Sequence, residues 1–324
     1  MRILIEGKSY KDYLAKCHEA FRTGLRALFD ARSFGDGYPD YSPSVKTYAQ
    51  IIQRTFSDVS PDIIIGDSYY PDDLEGFNYA GMADLSPLRS FILGDYWFIA
   101  EKYHEGFVAF AQKNKIDFIL SYFPQPLKIW SASPIGRRMA YLPPCFDPRI
   151  FNNWQVEKTH DVGFLAAGTT EYNPCYPERF SIHQKLLERK DLKYLWAFHP
   201  GWKSHIDVPP LVGVGFSKAI NSCRLFITTS GIYKNPHAKY VEIMASHTVL
   251  LADEPEAAGR LHLQDGVNYI RVSESDILEK IDWCLARPEI CQKIAEAGYR
   301  TAMRHHTCYT RAWEFYEATM ATLK

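Results

Sequence analysis

The stretch GIYKNPHAKYVEIMASHTVLLADEPE spans residues 231–256 and holds a turn, a helical pattern and a strand. TVLLAD (248–253) is a short apolar run that ends on a carboxylate, the pattern of a parallel strand buried on both faces. Ahead of it Tyr240, Val241, Met244 and Ala245 repeat at helical spacing and form an apolar stripe. Asn235 suits the N-cap and Pro236 the first helical position. The amides of His237 and Ala238 would then be open donors at the positive end of a helix. A helix leading directly into a buried strand is half of a βαβ unit, so the stretch argues an α/β protein.

The same alternation runs through the chain. ILIEG (3–7), DIIIGD (62–67), SFILGD (90–95), IDFILSYF (116–123) and RRMAYLP (137–143) read as strands, separated by helical patterns. SFGDGYPDYSP (33–43) reads as loop. LPPCFDPRIFNNWQVEKTHD (142–161) has three prolines and no apolar period, as a crossover linker has. Then DVGFLAAG (161–168), KYLWAFH (193–199), RLFITTS (224–230) and TVLLAD (248–253) restart the alternation. The expectation is two Rossmann-like, doubly wound domains, residues 1–145 and 146–324, facing a cleft. The final helix, with Trp313, Phe315 and Tyr316, is free to pack back on the first domain.

Composition bounds the function. With 324 residues and a net charge of -1, the chain has no overall field to recruit nucleic acid or anionic lipid. Seven cysteines, none in a CxxC pair, fit reduced thiols in a cytosolic compartment better than zinc or a disulfide framework. The N-terminal apolar run is too short for a signal peptide. No apolar run approaches the ~20 residues that cross a bilayer. HExxH, DxD and GxSxG are absent, as are GxGxxG and GxxxxGK[ST].

Ligands of doubly wound sheets bind outside the carboxyl ends of the strands. That rule selects Gly7, Lys8 and Ser9; Asp67, Ser68 and Tyr69; Gly94, Asp95 and Tyr96; Gly168; His199; Ser230 and Gly231; and Asp253 and Glu254. The plain competing reading is that loops are polar anyway. Ser230, Gly231 and the following helix start suit a diphosphate. Glu242, one turn into that helix, can accept two hydrogen bonds from a ribose diol, or can simply be a solvated residue favoured by the helix dipole. Arg179 and Lys203 each follow a strand end and can meet the charge on a departing nucleoside diphosphate, Arg in bidentate fashion. Asp95 can act as a base or hold an acceptor hydroxyl. His104 reads as a surface or packing histidine, and His305 and His306 as caps at a helix C-terminus.

These pieces, in order, carry a resemblance: YLPPCFDPRIF, THDVGFLAAG, YPERF, HPGW, KYVEIMASHTVLLADEPE, LQDGVNYIRV and DILEKIDWCLARPEICQKIAEAGYRTAMRHHT, with Arg311. Over roughly residues 140–315 the chain resembles the CgeB-like (spore-maturation-protein-B-like) branch of the GT-B glycosyltransferases, related to their retaining type. The resemblance implies a nucleotide-sugar donor bound mainly by the C-terminal domain, transfer without a metal or other cofactor, and an acceptor on the N-terminal side. Glu242 falls on the second carboxylate of the family's E-x7-E motif, which holds the ribose. The first falls on Lys234, a departure, and the family's small residue after the helix is His247. By the same resemblance Arg179 and Lys203 fit the diphosphate contacts. Lys234, His237, His199 and Gly168 join the donor side, and Gly7, Lys8, Ser9 and Tyr96 the acceptor side. The acceptor stays open among glycan, small molecule, protein and modified nucleic acid. A nucleotide-sugar epimerase of the same fold and a catalytically inactive nucleotide-sugar-binding protein are the rivals.

Overall fold

The computed structural model describes residues 1–10, 17–68, 79–94, 104–169, 171–197 and 211–322. The chain divides into two compact units, Met1–Lys11 with Phe21–Pro143 and Arg311–Lys324, and Asp12–Ala20 with Pro144–Thr310.

In the first unit the described strands are β1 (Arg2–Glu6), β2 (Asp30–Phe34), β3 (Ile63–Ser68), β4 (Leu88–Leu93), β5 (Phe118–Ser121) and β6 (Met139–Tyr141). All pair in parallel, in the order β2-β1-β3-β4-β5-β6. Helices α1 (Cys17–Leu28), α2 (Tyr48–Phe56), α3 (His104–Lys113) and α4 (Gln125–Ile129) connect them. Local chemistry sets the boundaries of α2. Thr47 and Gln50 form a reciprocal capping box at its start, and Ser57 turns left-handed at its end. Leu4, Ile64, Phe91 and Ile119 from the sheet bury against Tyr48, Ile51, Phe107 and Trp130. His104 packs edge-on to Trp130 at 5.0 Å between ring centres, a packing role.

The second unit holds β7 (His160–Gly163), β8 (Tyr194–Leu195), β9 (Cys223–Thr228), β10 (Val249–Ala252) and β11 (Ile270–Arg271), again all parallel, ordered β11-β10-β9-β7-β8. Its helices are α5 (Pro177–Glu188), α6 (Val214–Asn221), α7 (Ala238–Ala245), α8 (Ile277–Leu285) and α9 (Pro288–His305). Alternate strand residues feed two cores, as a sheet covered on both faces requires. Leu225, Ile227 and Leu251 pack with Ile182, Ile281 and Ile294, whereas Phe226 and Leu250 pack with Tyr240, Met244 and Ala302. His306 caps α9 and engages the Leu261 carbonyl through Nε2 at 3.1 Å. The last helix, α10 (Cys308–Thr322), crosses into the first unit, where Phe315 meets Phe21 and Tyr316 meets Phe29.

Two strands escaped the sequence pattern. β2, lying after the helical pattern that stops at Leu28 and running into the loop read from Ser33, is an edge strand whose Asp30 and Arg32 pair outward in solvent. β11 is two residues long and also lies at an edge. Edge strands have one neighbour and lack the apolar run of a doubly covered strand. The strand expected over 193–199 pairs only at Tyr194–Leu195, with 198 and 199 outside the described residues. Among the described residues no helix is long and apolar enough to cross a membrane.

Candidate functional site

Both sheets reverse their winding between the first and third strands of the unit, β1 and β3 in one, β7 and β9 in the other. At such a switch point the connections diverge to opposite faces and leave a crevice at the carboxyl ends of the strands. An arginine from the helix side of each crevice ties the two strand ends together. The two arginines differ in what neutralises them.

In the second unit the arginine is Arg179, in the first turn of α5 and 4% exposed. Nη1 donates to the Ala167 carbonyl after β7 at 3.0 Å. Nε and Nη2 donate to the Thr229 hydroxyl at 2.9 Å and carbonyl at 2.8 Å, after β9. The Tyr176 ring lies under the guanidinium, 3.4 Å from its centre. Burial pushes the Arg179 pKa down, countered by Tyr176 and then by Glu178, Tyr240 and Asp253. Among the described residues no carboxylate pairs with it directly, and only three of the five N–H groups of a guanidinium find acceptors. A cation buried in this way has the charge and the spare donors to receive an anion.

Gly168, Ser230, Gly231, Lys234, His237 and Glu242 belong to the same unit. Gly168 lies in the turn after β7. Gly231 has φ +71°, and a Cβ there would strike the Cys175 carbonyl and come within 2.6 Å of the Tyr176 ring. Only glycine lets the chain after β9 pass that close. The turn is closed by Asn235, whose N–H donates to the Ser230 carbonyl at 3.2 Å, and Lys234 is left-handed at φ 52°.

This turn corrects the expected helix start. The N-cap is His237, extended at φ -73° and ψ 157°, and α7 begins at Ala238, not at Pro236. Asn235 and Pro236 are used up in the turn, and the Asn235 Oδ1, buried, finds no partner among the described residues. His237 is held on both nitrogens. Nε2 faces the Tyr176 hydroxyl at 3.1 Å, and the Ser230 backbone bonds the ring. Burial, reinforced by Arg179 and then Lys239, lowers its pKa to about 3, so it is neutral. Lys239 donates to the Leu165 carbonyl at 2.6 Å and is the charge nearest Glu242.

Glu242 is the fifth residue of α7 and 7% exposed, not a solvated position. Among the described residues none donates a hydrogen bond to its carboxylate. Burial raises its pKa to about 7, with Lys239 pulling the other way. Lys234 is half-exposed and tied to Asp253, with Nζ donating to Oδ2 at 2.8 Å.

In the first unit Gly7, Lys8 and Ser9 follow β1. The Arg22–Asp67 ion pair lies beneath them, fully buried, with Nε to Oδ2 at 2.8 Å. Arg22 also donates to the Lys8 carbonyl and the Tyr38 hydroxyl, at 2.7 and 2.6 Å. Ser9 N–H donates to the Asp36 carbonyl at 2.7 Å. Here the buried cation already has its anion. Asp95, Tyr96, His199 and Lys203 lie outside the described residues. Arg22, Tyr176 and Lys239 were not singled out from sequence, because only the fold brings them to strand ends. Among the described residues no three His, Cys, Asp or Glu side chains gather as metal ligands.

The comparisons bear on this geometry. The family described as glycosyl transferase-like matches residues 179–317. A comparison with curated proteins finds no match. Among solved structures, the chain is similar to Anabaena Alr3699/HepE in complex with UDP and glucose. The TM-score is 0.64 at 14% identity, covering 99% of this chain and 100% of that one. It is similar to a glycosyltransferase from Rickettsia africae ESF-5, with TM-score 0.62, 11% identity and coverages of 100% and 98%. Sucrose-phosphate synthase (tll1590) from Thermosynechococcus elongatus gives 0.62 at 9% identity, with coverages of 100% and 99%. The fold is therefore the α/β GT-B combination, two parallel doubly wound sheets in one chain.

Proposed function

We propose that this protein is a metal-independent glycosyltransferase that takes its sugar from a nucleoside-diphosphate donor held by the second unit. The observation that carries the reading is Arg179, a buried guanidinium at the switch point with open N–H groups and no paired carboxylate among the described residues. A diphosphate supplies the missing charge and accepts those N–H groups. The first amides of α7 add donors of the same sign. Glu242, buried without a hydrogen-bond donor among the described residues, takes the ribose diol. When the sugar–phosphate bond breaks, negative charge grows on the leaving diphosphate, and a fixed cation with fixed amides stabilises it without reorganising. The match to a glycosyl transferase-like family over residues 179–317, which include both side chains, supports the same assignment. So do the complexes of Anabaena Alr3699/HepE with UDP-glucose and with UDP and glucose.

The acceptor is assigned to the first unit, at the Gly7–Lys8–Ser9 strand end, with Asp95, Tyr96, His199 and Lys203 completing the two sides. The CgeB-like branch and retention of the anomeric configuration follow the sequence resemblance. The anomeric coupling constant of the first product, read by NMR, checks retention. A cytosolic setting fits the described cysteines, all free thiols.

Titration calorimetry with UDP-, GDP-, ADP- and TDP-glucose tests the donor assignment. Wild type is expected to bind one of them. Arg179→Met removes charge-assisted bonds of about 1.5–3 kcal/mol each, so affinity drops by about 100-fold or more. Equal affinity in the two proteins defeats the reading.

A further inference from the structure

One carboxylate outside the turn between β9 and α7 binds residues at its start, in its middle and just beyond its end. Asp253 follows β10, with its side chain 17% exposed. Oδ1 accepts from the Ser230 N–H at 2.7 Å and from the Tyr240 hydroxyl at 2.9 Å. Oδ2 accepts from the Ser230 hydroxyl and from Lys234 Nζ, the latter at 2.8 Å. The Tyr240 hydroxyl also reaches the Asp253 carbonyl at 2.9 Å.

The donors come from three places: the end of β9, the left-handed position of the turn, and the first turn of α7. Three donors, and a Tyr240 proton shared between Oδ1 and the Asp253 carbonyl, occupy a carboxylate with roughly four lone-pair sites. Asp253 therefore has little left to offer a ligand, and its effect must pass through the groups it holds. Burial works against its charge, yet the donations from Lys234 and Ser230 keep its pKa below the usual carboxylate range. Lys234 keeps a conformation that non-glycine residues avoid, and its ammonium is anchored where that conformation sends it.

We propose that Asp253 is a positioning residue for sugar transfer: it locks the 229–236 turn to α7, so that Gly231 and the helix-start amides meet the diphosphate–sugar end of the donor. The proposal rests on the second unit being the donor-binding half. The nucleoside end, assigned to Glu242, lies further along α7, past the residues that Asp253 holds. Loss of Asp253 should therefore weaken the donor at one end only.

The test uses the full chain and two probes, the nucleotide sugar that wild type binds best and the nucleoside monophosphate of the same base, UMP for a UDP-sugar. Asp253→Asn is expected to weaken the nucleotide sugar by about 30-fold and Tyr240→Phe by about 5-fold. Both should leave monophosphate affinity within about twofold. The double variant should bind no worse than Asp253→Asn, because the hydroxyl acts through the carboxylate. Should Asp253→Asn fail to fold, Tyr240→Phe alone reads the split between the probes. Parallel losses for monophosphate and nucleotide sugar overturn the proposal, as does unchanged nucleotide-sugar binding. Wild type that binds no nucleotide sugar overturns the donor-half reading and the proposal with it.

Discussion

Glu242 shows how far one residue can be read. Its place in an otherwise apolar helical turn marked it, but spacing alone left it even between a ligand and a solvated side chain. Burial excludes the solvated reading, since the side chain is 7% exposed and no donor among the described residues offsets the cost of enclosing it. Its pKa of about 7 lies above the ordinary value of 4.5. The folded chain thus holds a proton that the unfolded chain releases between pH 4.5 and 7. Stability is full below that window and falls as pH rises through it, by about 3 kcal/mol in all. Glu242→Gln is expected to be more stable than wild type at pH 8 and equally stable at pH 4, measured by urea unfolding. Donor affinity of wild type should climb from pH 6 to 8 as the carboxylate ionises, and stay flat in the variant. A variant less stable than wild type at pH 8 contradicts this account.

Among the elements, the segment between β9 and α7 is the one that local rules misplaced. Asn-Pro before an apolar stripe is a sound helix-start signal. It failed because Asn235 is committed to closing a turn around Gly231, and that turn is set by Asp253 and the Cys175–Tyr176 backbone, distant in sequence. Gly231→Ala combines a left-handed φ with a clash against Tyr176, a strain of about 1–3 kcal/mol. It is expected to lower the melting temperature and to weaken nucleotide-sugar binding more than monophosphate binding. A variant that matches wild type in a thermal melt would show that the turn is looser than its contacts indicate. His247 is left-handed at φ 54° just after α7, a conformation that glycine adopts without a Cβ penalty.

Across the whole molecule, the same device occurs twice with opposite electrostatics. Arg22 and Arg179 each bridge the strand ends of a switch point, yet Arg22 is neutralised by Asp67 and Arg179 is not paired directly among the described residues. The asymmetry separates a structural cation from one that can receive an anion. Removing one partner of a buried pair strands the other charge, so Arg22→Met should cost about 3–5 kcal/mol. Arg179→Met loses only bonds to neutral acceptors and should cost clearly less while abolishing donor binding. Urea denaturation of both variants beside the calorimetry checks the ranking, and the reverse order sinks it.

The sequence by itself determined the parallel α/β class, because buried parallel strands need continuous apolar runs such as IIIG and VLLA, and the helices between them announce themselves by period. It also placed Arg179, Ser230, Gly231 and Glu242 at strand ends or one turn beyond, since the carboxyl-end rule depends only on strand order along the chain. Only the tertiary structure decided which cation is paired, which carboxylate is buried and where α7 begins. Those properties are set by residues far apart in sequence, Asp67 with Arg22, Thr229 with Arg179 and Asp253 with Ser230, and chain-local spacing carries no information about such meetings.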